Sequence, residues 1–328
     1  MKNLVIVDFM YLMHRHMYAI KDKEKKNNDK PMMTNPNTGE ESARLYFCLR
    51  DLETIVQHHQ DGNTDIVVCA DRKSKRKELL AESTDYKANR DPDRFTELDS
   101  AAIKNTLALI GQAGIPVMGI EGYEADDLIH SIVTQHSDKY EHILIYTPDS
   151  DLGVLINDKV SLMRYKSVYS KYGKSGNGSH SNFLEAHVHV TKDNYETYFT
   201  EECSKKGPVT IDYNSLMFYK VTVGDVSDHI AGIKGFGNAA YEKIRNKLVQ
   251  RGTVSVYKQL SCEEAVLGML KALLDNQFIN ETQYNQAYEA LQFVKPYYVE
   301  IDYAWIKPLP TLEYRKEVYE TTWGIKKI

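Results

Sequence analysis

The sequence predicts an α/β fold, with a mostly parallel central sheet flanked by helices and a helical region following it. Three observations lead there. Short apolar runs rich in β-branched residues recur through the first half of the chain. The stretches between them carry helical periodicity. The runs also lack the polar alternation of a sheet with one wet face, so both faces must be covered. Strand and helix in alternation imply parallel pairing through right-handed crossovers.

The strands are expected at Leu4-Val5-Ile6-Val7, Ile66-Val67-Val68-Cys69-Ala70, Ile115-Pro116-Val117-Met118 and Ile143-Leu144-Ile145-Tyr146, with a fifth over Val160 to Met163. Helices are expected over Ser42 to His58 and Ala101 to Gln112, and Lys21 to Glu40 reads as a polar loop. A less regular section runs from Arg164 to Pro208 and contains the Gly/Ser/Lys stretch Lys171 to Ser179, which reads as a surface loop. Beyond it, Ile211 to Val223 has a helical pattern and the remainder reads as helices with polar joints. The expected organisation is an α/β core over 1–165, an irregular insertion over 166–210 and a helical region over 211–328.

Composition narrows the function. The chain of 328 residues, 42% hydrophobic and 27% charged, can bury a large core, and no apolar run approaches the roughly 20 residues of a membrane span. Met1-Lys2-Asn3 leads straight into a strand without a signal-peptide pattern, so a cytoplasmic location is expected. Cys48, Cys69, Cys203 and Cys262 have neither metal-ligand nor disulfide spacing; two of them sit among apolar neighbours as core thiols. A net charge of −5 argues against a nucleic-acid partner at first sight. If nine of the 46 acids belong to a metal site, 37 remain against 41 Lys and Arg, a mildly basic surface.

Seven of those nine acids follow the strands, and they are the informative feature. Asp8 closes the first strand and Asp71 follows the second; Glu124, Asp126 and Asp127 open the helix after the third; Asp149 and Asp151 follow the fourth. In an open parallel sheet, ligands bind outside the carboxyl ends of the strands, so these side chains converge on one edge. Gathered carboxylates raise one another's pKa unless cations neutralise them. All-oxygen ligation without His or Cys suits Mg²⁺ or Mn²⁺, and two such ions roughly 4 Å apart support in-line phosphodiester displacement. A single strand-end Asp is equally well a helix cap. Capping does not account for three acids in four residues plus an Asp-x-Asp.

A second module follows. Gly224 to Gly237 contains Asp225, Asp228, Gly232, Lys234, Gly235 and Gly237 and precedes a helical stretch, Asn238 to Leu248. Glycines before a helix N-terminus let backbone N–H groups approach a phosphate, as in a helix-hairpin-helix; an ordinary interhelical loop is the competing reading. The basic run Arg72 to Lys77 reads equally as a solvated face. Tyr86-Lys87-Ala88-Asn89-Arg90 places Lys87 and Arg90 on one face of a helical segment beside an aromatic that can stack on a base.

Tyr123-Glu124-Ala125-Asp126-Asp127-Leu128, Tyr86-Lys87-Ala88-Asn89-Arg90 and the Gly224-to-Gly237 block, in this order, resemble the signatures of the 5′-nuclease family of flap endonucleases, phage 5′-exonucleases and the 5′-nuclease domain of bacterial DNA polymerase I. The resemblance covers about residues 1–250, and the helical tail looks most like bacteriophage members, which would place the protein in the host-cell cytoplasm. It implies a PIN-like 5′-nuclease core, a helical arch at about 72–98 and a helix-hairpin-helix at about 224–248. It also implies that Asp8, Asp71, Glu124 and Asp126 serve one metal, and Asp127, Asp149, Asp151, Asp225 and Asp228 a second, directly or through water. Lys87 and Arg90 match cations at the base of the arch that polarise the scissile phosphate, and Arg15 a phosphate contact. The Gly232-to-Gly237 hairpin resembles the element that holds duplex DNA, often with K⁺. Phe9, Ser150, Val154, His229 and Ala231 depart from the usual Gly, Lys, Gln, Asn and Pro.

The implied activity is a structure-specific 5′-3′ exonuclease or flap endonuclease. It would be a monomer, acting on DNA with a 5′ flap, nick or RNA primer in replication or repair, with any replication-protein partner left open. The alternatives are a catalytically inactive structure-specific DNA-binding protein, which gains little from negative charge facing phosphate, and a PIN-like ribonuclease, which leaves the hairpin and the Lys87/Arg90 segment unexplained.

Overall fold

In a computed structural model of the protein, the described residues are 1–28, 30–74, 95–165, 183–195, 211, 215–250 and 262–328. Six strands form one sheet: β1 (Lys2–Asp8), β2 (Thr64–Cys69), β3 (Val117–Met118), β4 (Tyr140–Tyr146), β5 (Val160–Tyr165) and β6 (His187–Val190). Their order is β3-β2-β1-β4-β5-β6, parallel throughout except for the antiparallel β6. All five expected strands are present. The sixth lies in the stretch expected to be irregular, where His187-Val188-His189-Val190 pairs with Leu162 to Tyr165 and covers the β5 edge.

Burial explains the unalternating strand sequences. Val5 and Val7 face a core shared with α1 (Phe9–Lys26), α2 (Ala43–His59) and α3 (Glu97–Gln112), whereas Leu4 and Ile6 face one shared with α4 (Ala125–His136). Successive residues of β1 are therefore buried against opposite layers. A third core joins α5 (Leu216–Val223), α6 (Asn238–Gln250), α7 (Glu263–Asp275) and α8 (Glu281–Val294) into the expected helical region.

Two expectations need correction. The polar loop expected from Lys21 begins later, because α1 continues to Lys26. Its last turns are held by tertiary ion pairs: Arg44 on α2 grips Glu24 with 2.8 and 3.2 Å hydrogen bonds, and Lys21 reaches Asp99 at 2.6 Å. The region after 211 is also not simply an appended helical unit. Beyond α8 the chain returns to the α/β layer, where Tyr297, Val299 and Ile301 donate backbone N–H groups to Asp127, Ser131 and Gln135 along α4. It ends in α9 (Leu312–Trp323), whose fully buried Arg315 pairs with Glu53 on α2 at 2.8 and 2.9 Å.

The strand order creates the site. The chain adds β2 and β3 on one side of β1, then crosses to add β4, β5 and β6 on the other. The carboxyl ends of β1 and β4 therefore flank the point of reversal, where doubly wound sheets open a crevice. Among the described residues, no helix is long and apolar enough to cross a membrane.

Candidate metal centre

Each carboxylate is fixed by the element that ends or begins beside it. Asp8 is the last residue of β1 and the N-cap of α1: its Oδ1 accepts from Met10 N and Tyr11 N at 3.0 and 3.3 Å, and its Oδ2 from Thr147 Oγ1 at 3.1 Å. Asp71, two residues beyond β2, accepts from Ala125 N at 2.7 Å and so caps α4 from outside that helix. Glu124 is the N-cap of α4, with Asp126 in its first turn. After β4, Asp149 accepts from Asp151 N at 2.8 Å, a tight turn that keeps both carboxylates at the crevice. The capping reading and the site reading therefore coexist: the caps aim the acids.

Electrostatics groups them. Burial, then Asp71 and Asp149, push the Asp8 carboxyl up to about 7. Burial, then Asp149, Asp8, Asp71 and Asp151, raise Asp126 well above the carboxylate range. Burial, then Asp151, push Asp149 up to about 7, with Lys220 opposing. Burial and mutual repulsion thus disfavour these groups as anions unless a cation enters, and an all-oxygen donor set fits a hard divalent ion.

The hairpin supplies the other end. Donor oxygens of Asp151, Asp225 and Asp228 lie within 4.8 Å of one another, the one such group among the described residues. Asp225 is held by a reciprocal backbone pair with Ile230, both bonds 2.8 Å, and its Oδ1 accepts from Ser227 N at 2.8 Å. Gly224 and Gly232 make this turn possible: at φ +98° and +66° their backbones touch, and a Cβ on Gly232 would lie 2.5 Å from Gly224 N. Gly232 thus serves chain packing, while Gly235 and Gly237 have open space on the Cβ side. His229 takes φ +60°, a region that His, like Asn and Asp, enters more readily than most residues.

Three expected site residues sit differently from the sequence reading. Asp127 is turned to the backbone: almost fully buried, its two oxygens accept from Glu124 N at 3.1 Å and Tyr297 N at 2.8 Å. Arg15 bonds Asp51 at 2.8 Å and lies over Tyr165 and Phe183 at 4.6 and 4.9 Å, so its charge already has a counter-ion. Lys234 is tied through its backbone to Gln283 and Gln286 on α8, both at 3.1 Å, leaving its side chain exposed. Tyr86, Lys87 and Arg90 lie outside the described residues. So does the arch, apart from Arg72 to Ser74, which run extended beside Gly122, and its last residues at the start of α3.

The sequence reading missed Lys220. This α5 residue is buried, and its Nζ bridges Asp151 and Asp225, the latter at 2.5 Å. Burial works against its charge, but Asp151, Asp225 and Asp149 more than compensate and hold it protonated. Burial also opposes the Asp225 charge, and Lys220 overrides that to keep the carboxyl below its ordinary range. The signal was present: a lone Lys inside Leu216-Met217-Phe218-Tyr219-Lys220-Val221-Thr222-Val223 must find a partner when the helix is buried.

The family model of the 5′-3′ exonuclease N-terminal, resolvase-like domain matches residues 3–181. The chain belongs to this 5′-3′ exonuclease family. It is 30% identical over 246 residues to a 5′-3′ exonuclease of Bacillus subtilis, covering 74% of this chain and 69% of that one. It is 28% identical over 241 residues to DNA polymerase I of Caldicellulosiruptor bescii, covering 74% of this chain. The chain spans only 24% of that polymerase's length. Among solved structures, T5 5′-exonuclease with bound zinc shares the fold at a TM-score of 0.50 and 18% identity, over 90% of this chain and 100% of that one. Family membership accounts for the sheet. The match at 3–181 stops short of Lys220, Asp225 and the hairpin, which the tertiary structure brings to the same crevice.

Proposed function

We propose that this chain is a metal-dependent, structure-specific 5′-nuclease that hydrolyses phosphodiesters near the 5′ end of DNA or RNA-primer strands. The observation that carries this reading is the convergence of Asp8, Asp71, Asp126, Asp149, Asp151, Asp225 and Asp228 on one crevice, with three of them disfavoured as anions by burial and by each other. A pure DNA-binding surface does not gather uncompensated carboxylates where phosphate must sit.

Two divalent ions, Mg²⁺ or Mn²⁺ by donor type, would supply Lewis acidity and a water nucleophile at this crevice. Asp8, Asp71, Glu124 and Asp126 would hold one, and Asp149, Asp151, Asp225 and Asp228 the other. Asp127 holds the α4 terminus, the turn from which Asp126 projects into the cluster. Lys87 and Arg90 would polarise the scissile phosphate from the arch. Gly235 and Gly237, with room beside their backbones before α6, and the exposed Lys234 would receive a duplex phosphate, with K⁺ as a further candidate ligand there. Asp225 and Asp228 sit on the same hairpin segment, which couples duplex docking to the metal cluster.

The test is cleavage of end-labelled 5′-flap, nicked, blunt and RNA-primed duplexes with Mg²⁺ and with chelator. Cleavage confined to 5′-ended duplex substrates and abolished by chelator is expected. Asp8→Asn and Asp149→Asn should each lose it while retaining DNA binding. Binding without cleavage under any condition would favour an inactive DNA-binding protein, and cleavage of single-stranded RNA alone a PIN-like ribonuclease.

A further inference from the structure

The carboxylate cluster is not uniformly bare of positive charge. At one end, Asp8 is bonded by Met10 N, Tyr11 N and the Thr147 hydroxyl, which are neutral donors. At the other, the Lys220 ammonium is inserted between Asp151 and Asp225, in the same group of oxygens that also includes Asp228. Lys220 and Asp225 each retain about 10% side-chain exposure, so the contact is shielded and weakly screened by salt. The second Asp225 oxygen is already taken by Ser227 N at 2.8 Å and its hydroxyl at 2.5 Å. The oxygen that Lys220 holds is therefore the one a divalent ion would need.

We propose that Lys220 is a resident counter-ion for the Asp151/Asp225/Asp228 end of the cluster, and that a divalent ion loads there only by displacing its ammonium. This rests on the metal-dependent reading above. An ammonium held between Asp151 and Asp225 stands where an ion bridging them would sit, and like charges at contact distance repel, so occupancy of that end is an exchange. Removing the ammonium accordingly strengthens divalent binding at the hairpin end. Lys220 also keeps Asp151 and Asp225 together before any ion arrives, so the hairpin stays against the sheet in the metal-free protein.

The test is Mn²⁺ binding to the full, DNA-free chain, followed by loss of the free-ion electron paramagnetic resonance signal, for the unsubstituted protein, Lys220→Met and Lys220→Arg. Lys220→Met should tighten Mn²⁺ binding at one class of sites by roughly tenfold or more, the factor for relieving one close charge pair. Lys220→Arg, which keeps the charge, should stay near the original. Unchanged or weakened Mn²⁺ binding in Lys220→Met overturns the proposal while leaving the metal reading intact; no Mn²⁺ binding by any of the three overturns both. A second measurement needs no variant. Lys220 acetylation by an N-hydroxysuccinimide ester, read by mass spectrometry, should be slow in the metal-free protein and several-fold faster at saturating Mn²⁺. Equal or slower labelling with Mn²⁺ overturns the proposal.

Discussion

Asp126 and Asp127 are adjacent in sequence and alike in chemistry, yet exchanging each for Asn should have opposite consequences. Asp127 is almost fully buried and accepts two backbone hydrogen bonds, from Tyr297 N at 2.8 Å and Glu124 N at 3.1 Å. Asn retains one accepting oxygen and turns its amide N–H₂ toward the other donor. One hydrogen bond to a charged acceptor, worth about 1.5–3 kcal/mol, is lost and one buried N–H is left facing a donor. Allowing for partial relaxation, Asp127→Asn should cost about 2–4 kcal/mol, a large part of the 5–15 kcal/mol typical of a folded chain. Asp126 presents the reverse case. Burial and four neighbouring acids disfavour its charge, so Asp126→Asn should leave the metal-free protein as stable as before or more so, while removing a ligand. Urea denaturation in chelator measures the first effect, and Mn²⁺ titration the second. Asp127→Asn with undiminished stability but lost metal binding would refute the assignment of Asp127 to the α4 terminus. A destabilised Asp126→Asn would refute the repulsion argument.

Further outcomes follow from the same geometry. Gly232→Ala places a Cβ 2.5 Å from Gly224 N at φ +66°, and should lower stability by about 2 kcal/mol or more, whereas Gly237→Ala meets open space and should leave the urea midpoint unchanged while weakening duplex binding in a gel-shift titration. Asp8 and Asp149 have folded pKa values of about 7, above their unfolded values, so their contribution is fully present below about pH 4 and lost as pH rises through 7. Over that window the metal-free protein should melt at a lower temperature at pH 8 than at pH 6, and a divalent ion should raise the melting temperature more at pH 8; differential scanning calorimetry checks both. Arg315→Met leaves Glu53 buried without its bidentate partner and should cost about 3–5 kcal/mol in urea denaturation, with a change below 1 kcal/mol contradicting the role of α9 as an anchor.

The architecture was legible in the sequence because it is written locally. Apolar runs such as Leu4 to Val7 and Ile143 to Tyr146 state that a strand is buried on both faces, and an acid following each run states what lies at the strand's carboxyl end. The seven strand-end acids were found this way, and Asp8, Asp71, Asp126, Asp149 and Asp151 lie close enough to act on one another. The same pattern could not separate Asp126 from Asp127, since both stand in the first turn of α4 and only a segment 170 residues away decides which of the two turns inward. Gly232 was read as a place for phosphate because a glycine's freedom is visible in sequence, whereas the partner it approaches, Gly224, is a matter of how the turn closes.

What the sequence determined by itself is thus the doubly covered sheet, the acids at its carboxyl edge and the glycine hairpin, each encoded within a few residues of where it acts. What only the tertiary structure decided are pairings across long separations: Glu24 with Arg44, Asp127 with Tyr297, Glu53 with Arg315, and Lys220 with Asp151. The physical reason is that a buried charge has no preferred neighbour in the chain. It takes whichever opposite charge or backbone donor the packed layers bring within reach, and here that selection gave one end of the carboxylate cluster its own cation.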